Sequence, residues 1–142
     1  MEYPTAAYVW KFFKNLGYSD QVIAGILGNM MVECGANSLN LRWDIYSPGG
    51  AFYGLCQWSK TYFPDIHGAD LQTQCEYLRD TMENSFSYFG PRFRRGYDLE
   101  TFLATENAYD AGYAFCECYE RGHGATLRAK QAIVAYEYFT RY

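Results

Sequence analysis

In the stretch GNMMVECGANSL, residues 28–39, methionines, a valine and a cysteine surround Glu33, which stands two positions before a glycine. A carboxylic acid in such company can keep its proton near neutral pH. It can then hand that proton to a departing glycosidic oxygen, which is general-acid chemistry. The other reactive groups are weaker candidates. Cys34, Cys56, Cys75, Cys116 and Cys118 make an odd number in apolar settings, without the spacing of a disulfide framework, and read as reduced, buried side chains. Cys116, Cys118 and His123 match no familiar zinc-ligand spacing, so no metal or other cofactor is expected. A thiolate nucleophile is disfavoured at Cys34, because the carbonyl end of a helix raises a thiol pKa.

The elements that would position Glu33 follow from periodicity and caps. On a wheel of about 100° per residue, Val22, Ile23, Ile26, Leu27, Met30 and Met31 cover one broad face of a helix running from Ser19 to Cys34. Glu33 falls between Val22 and Ile26, inside that apolar arc. Ala24, Gly25, Gly28 and Val32 lie opposite, small enough in part to admit another backbone. A helix apolar nearly all round is a buried one, with Gly35 placed to take a left-handed cap. Burial and the negative end of the helix dipole both favour the protonated form of Glu33.

Other helices are expected over residues 5–16 (Thr5 as N-cap, Gly17 as stop), 70–82 (stripe Leu71, Cys75, Leu78, Met82) and 99–104. A further one is expected in NAYDAGYAFCECYE, capped by Asn107 and stopped by Gly122, and a last one over 125–139. Residues 36–59 are rich in Gly, Asn, Asp and Pro, and SPGGAFYGLCQW resembles a short hairpin or lobe. The chain therefore reads as one mainly α domain (α+β), a buried central helix with a small β-hairpin lobe.

Bulk properties narrow the function classes. The chain has 142 residues, 49% hydrophobic and 20% charged, which fits one folded globular domain. No apolar run approaches the roughly 20 residues of a membrane span, and MEYPTAAYVW lacks the basic start and apolar core of a signal peptide. A net charge of −4 argues against nucleic acid as a partner. The basic cluster PRFRRGY, residues 91–97, reads as a solvated loop. Aromatics reach 20%, including 15 tyrosines, suited to packing and to stacking on sugars.

Three blocks, AGILGNMMVECGANSLN, then GGAFYGLCQWS, then AFCECYERGHG, together resemble the phage tail lysozyme family, which is similar to goose-type lysozymes and soluble lytic transglycosylases. The resemblance covers roughly residues 5–139. It implies a lysozyme-like fold and peptidoglycan as partner, cleaved between N-acetylmuramic acid and N-acetylglucosamine. Other phage tail components are implied as further partners, and no membrane or nucleic acid. It also implies a protein of the virion tail, or of the host cytoplasm before lysis, that acts on the bacterial wall. Glu33 matches the catalytic glutamate, and Tyr53 to Trp58 the hairpin that walls the cleft. Gln57 would face the acid, and Tyr119 and Glu120 match the third motif. Glu120, also in a last turn before a glycine, should be hard to ionise.

Goose-type relatives carry an aspartate two residues after the glutamine, where this chain has Ser59. Asp44 in RWDIYS is the expected second acid, because its segment should fold over the cleft. The AYDAG at 108–112 resembles a transglycosylase motif but lies too early in its helix. Water held by Asp44, the substrate's N-acetyl group or the ring's hydroxymethyl oxygen could each complete the reaction, the last giving an anhydro product. A silent glycan-binding module, stacking sugars on Trp43, Tyr46, Tyr53 and Trp58, is the alternative from another class.

Overall fold

The computed structural model describes residues 2–93 and 97–141. Six α-helices carry the described part: α1 (Pro4–Asn15), α2 (Asp20–Cys34), α3 (Leu71–Phe93), α4 (Leu99–Leu103), α5 (Ala108–Phe115) and α6 (Ala125–Thr140). Between α2 and α3 lie two short antiparallel strands, β1 (Phe52–Tyr53) and β2 (Trp58–Ser59), and a 3₁₀ turn, Pro64–Ile66. This is the mainly helical, lysozyme-like α+β architecture expected from the sequence. No described helix is long and apolar enough to cross a membrane.

The centre of the molecule is α2. Ser19 starts it, its hydroxyl accepting from the Val22 amide at 3.2 Å, with Asp20 in the first turn to complement the dipole. Ile23, Ile26, Leu27 and Met30 are all 0% exposed, each contributing roughly 1.5–3 kcal/mol by burial. The glycines set how closely its neighbours approach. A Cβ on Gly25 would stand 2.6 Å from Ala111 of α5, and one on Gly28 only 2.5 Å from the Ala132 amide of α6. Asn29 bolts this packing, its amide nitrogen donating to the carbonyls of Gly25 and Gly112, both at 2.9 Å.

Several ends differ from expectation. α1 starts at Pro4, not at a Thr5 cap, because a proline at the first helical position needs no N–H partner. Gly35 is not left-handed (φ −113°); Ala36 (φ 51°) and Asn37 (φ 64°) make the reversal instead. Glycine is required at 35 for space, since a Cβ there would lie 2.2 Å from the Ser38 carbonyl oxygen. α3 runs eleven residues past Met82 to Phe93, because its stripe continues through Phe86, fully buried with its ring 4.6 Å from that of Phe102. Within PRFRRGY, residues 94–96 lie outside the described residues.

The hairpin pairs Phe52 with Ser59 and Tyr53 with Trp58. Two strand residues a side cannot hold a lobe, and a buried side chain from α3 supplies the rest. Gln74 accepts from the Leu55 amide at 2.8 Å and donates to the carbonyls of Trp43 (2.8 Å) and Ala69 (3.0 Å). Gly54, at φ +85°, lets it in: a Cβ there would meet the Gln74 Oε1 at 2.4 Å.

Candidate active site

Two acids meet at the ends of two helices. Glu33 occupies the last turn of α2, where Met31 O accepts from the amides of Gly35 and Asn37 and Cys34 O accepts from Arg42. Glu120 closes a single π turn, Cys116–Glu120, which continues α5 and ends at Arg121 in the left-handed region (φ 54°). The expected stop, Gly122, lies one residue further on. The Arg121 amide reaches back five residues to the Cys116 carbonyl at 2.7 Å. Such wide turns are frequent at functional sites.

Arg128, on the first turns of α6, ties the acids together. Its Nη1 donates to Glu33 Oε2 at 2.9 Å and lies 3.9 Å from Glu120 Oε2, while its Nε donates to the His123 carbonyl at 3.0 Å. The side chains of Glu33, Glu120 and Arg128 are 18%, 2% and 5% exposed. Burial pushes the Glu120 carboxyl well above its ordinary range; the charge of Glu33 and a hydrogen bond with it add to this, against opposition from Arg128 and the Cys56 thiol. Burial opposes the charge of Arg128, but Glu33 and then Glu120 outweigh it and raise its pKa. Glu33 is thus not an isolated desolvated acid as the wheel suggested. It has a guanidinium partner, which attracts negative charge.

Beside Glu120 a groove of about 620 Å³ opens between the hairpin and α3, within the roughly 300–1,000 Å³ of small-molecule sites. Its rim carries Phe52, Tyr62, Phe63 and Tyr88, exposed by 45%, 79%, 37% and 55%. Glu120 is the one acid among the described residues that line it. Apolar faces with a polar group at the base suit the alternating faces of a sugar ring.

Of the residues singled out from sequence, Gln57, Trp58, Tyr119 and Glu120 line this groove. Glu33 adjoins it through Glu120 and is not in the lining. Trp58 is packed rather than displayed, 3% exposed, its Nε1 donating to the Tyr119 hydroxyl at 2.9 Å. That hydroxyl also bonds Thr81 at 2.6 Å, so the Tyr119 ring, stacked 5.0 Å from Phe115, braces the π turn. Gln57, at φ 51°, spends its amide nitrogen on the Ile45 and Gly54 carbonyls (3.2 and 3.0 Å). Tyr53 is 2% exposed, with its hydroxyl donating to Ala69 O at 2.7 Å. Tyr46 is half exposed but packs on Tyr53, 4.5 Å between rings, away from the groove. Asp44 is exposed in the turn closed by the Ile45 amide on Arg42 O, and does not line the groove either.

The phage tail lysozyme family model matches residues 4–139, nearly the whole chain. The chain belongs to the phage tail lysozyme family. A search of curated proteins returns no match. Membership makes it a lysozyme-like enzyme of the glycoside hydrolase type that acts on peptidoglycan. The candidate site of this phage tail lysozyme also contains residues that sequence reasoning missed. Arg128 lay in a helix with no apparent tie to Glu33, ninety-five positions away. Gln74 left a legible trace, a polar side chain three residues after Leu71 on an apolar stripe. The groove aromatics Phe52, Tyr62, Phe63 and Tyr88 left none, since nothing local separates a displayed ring from a packed one.

Proposed function

We propose that this phage tail lysozyme is a muramidase, hydrolysing the β-linkage between N-acetylmuramic acid and N-acetylglucosamine with Glu33 as general acid. The observation that carries the reading is an acid in the last turn of a buried helix, held by an arginine that also stands 3.9 Å from a second acid lining an aromatic groove. Glu33 gives its proton to the bridging oxygen, the bond to the anomeric carbon breaks, and positive charge grows on the muramic ring. Water attacks that carbon and its surplus proton returns to the acid. Trp58, Tyr119 and Gln57 form the wall beside the acids, and the rim aromatics stack on the glycan.

A second reading is favoured by one observation. Asp44 does not line the groove, so it offers no carboxylate there to hold the attacking water, as inversion would need at about 6.5–9.5 Å from the acid. Attack by the ring's own hydroxymethyl oxygen, with Glu33 returning as base, needs no such group and gives an anhydro end. Digestion of purified peptidoglycan followed by mass spectrometry separates the outcomes. New reducing ends support the muramidase and anhydro ends the transglycosylase. Free amines mean that a peptide bond was cut. A wild type that binds the wall but releases nothing, with Glu33→Gln binding equally, is the silent module.

The acidic chain suits a domain brought to an anionic wall by other tail components rather than by charge. Lysis by the isolated domain should not improve markedly at low salt. Strong improvement there overturns that assignment.

A further inference from the structure

We infer that Glu33 and Glu120 hold a single proton between them, with Arg128 as the residue that positions the pair and Glu120 as the partner that keeps the proton at Glu33 until it is donated. The inference rests on Glu33 being the general acid. Three observations carry it.

The first is charge. Two carboxylates facing one guanidinium leave a net negative charge where Glu120 and Arg128 are almost wholly buried. One proton makes the cluster neutral, and an uncompensated buried charge costs far more than a compensated set. The second is an orphaned atom. Glu120 Oε1 is buried and receives no hydrogen bond from the described residues, while Arg128 Nη1 stands 2.9 Å from Glu33 Oε2 and 3.9 Å from Glu120 Oε2. A protonated carboxyl spares such a buried oxygen a full negative charge and supplies a donor of its own.

The third is the surroundings. α2 presents Glu33, Cys34 and the neutral Asn29; the hairpin presents Cys56; α5 with its π turn presents Cys116 and Tyr119; α6 presents Arg128. The thiols hold their protons, Cys34 being pushed up to about 12 by burial. Tyr119 is pushed well above its ordinary value, again chiefly by burial. Arg121, on the groove wall, is turned to the Glu117 carbonyl at 2.8 Å. Arg128 is therefore the cation both acids share.

In the reaction the shared proton goes to the glycosidic oxygen as the C–O bond breaks. The pair is then doubly negative, opposite Arg128 and the cationic ring. Water forms the new C–O bond, and its proton restores the shared one. Nothing else is consumed.

Glutamate labelled with ¹³C at the side-chain carboxyl, titrated by NMR in the full chain, tests this in wild type, Glu33→Gln and Glu120→Gln. The wild type should lose protons from the pair in two steps more than about one pH unit apart. In Glu33→Gln, Glu120 should ionise at least one unit lower, its like-charged neighbour gone. Identical titration of Glu120 in both proteins overturns the proposal, as does independent single-step titration of the two acids in wild type. In activity, Glu120→Gln should move the alkaline limb of kcat/KM down by at least one unit with KM within about threefold, and Arg128→Lys should move it partway. An unmoved limb in Glu120→Gln overturns the proposal. If the wild type releases no glycan fragments, the muramidase reading has failed, and the titrations still decide the pair.

Discussion

Around Glu33 backbone meets backbone. Gly25 and Gly28 bring α5 and α6 against α2 so closely that a single methyl group has no room, and the acid's position follows from that contact. In the lobe that walls the groove, backbone meets side chain. Gln74 reaches from α3 to three main-chain groups of a segment with only two strand residues on each side, and Gln57 and Ser47 brace the turns. The helical half fixes where a proton can be held. The lobe fixes the shape of the groove wall. The same chain uses close packing, which tolerates almost no change of volume, to set the helices around Glu33, and a network of individual hydrogen bonds to hold the wall of the groove.

The sharpest break falls on the helical side. Glu33→Gln should lower kcat by about 10²–10⁴-fold while leaving the fold intact, read by fragment release and circular dichroism. Gly28→Ala attacks the same half through volume alone. Its new methyl lands on the Ala132 amide, so urea unfolding should show a loss of about 3 kcal/mol. In the lobe, Gln74→Leu keeps the volume but strands the Leu55 amide and the Trp43 carbonyl, costing about 2 kcal/mol. It should loosen the hairpin selectively, visible as faster amide exchange over residues 45–59 than over α2. Equal exchange in both halves would erase the contrast.

Glu120 lies where the halves meet. Its raised pKa means that between the ordinary glutamate range and its folded value the native state binds more protons than the unfolded chain. Stability therefore falls as pH rises through that window. Glu120→Gln removes this loss, so its Tm relative to wild type should rise as pH climbs above the ordinary glutamate range; a constant margin contradicts the shift. The smallest effect is expected at the rim. Tyr62→Ala, at a side chain 79% exposed, should leave stability within about 0.5 kcal/mol and raise KM about threefold.

The two halves also differed in what could be read before any coordinates. The core of α2 and its small-residue face were visible because 3.6-residue periodicity is written locally. Helix ends were less so: Pro4 displaced the Thr5 cap, and the reversal after α2 fell on Ala36 and Asn37 instead of Gly35. In the lobe the position of the hairpin was legible from its glycines. Which aromatics face the groove was not, and Tyr53 and Phe52, adjacent in one strand, show why. One is 2% exposed, packed on Tyr46 and His67 and tied to the Ala69 carbonyl, and the other is 45% exposed on the groove.

By itself the sequence determined the buried helix, the acid in its last turn, the glycines that admit its neighbours and the family to which the chain belongs. Each of these is encoded within a few turns or in short motifs. Only the tertiary structure decided that Arg128 and Glu120 would stand beside Glu33 and that Asp44 would not join the groove. Long-range pairing of charges depends on how whole elements pack, and no local pattern records which distant side chain ends up at hydrogen-bonding distance.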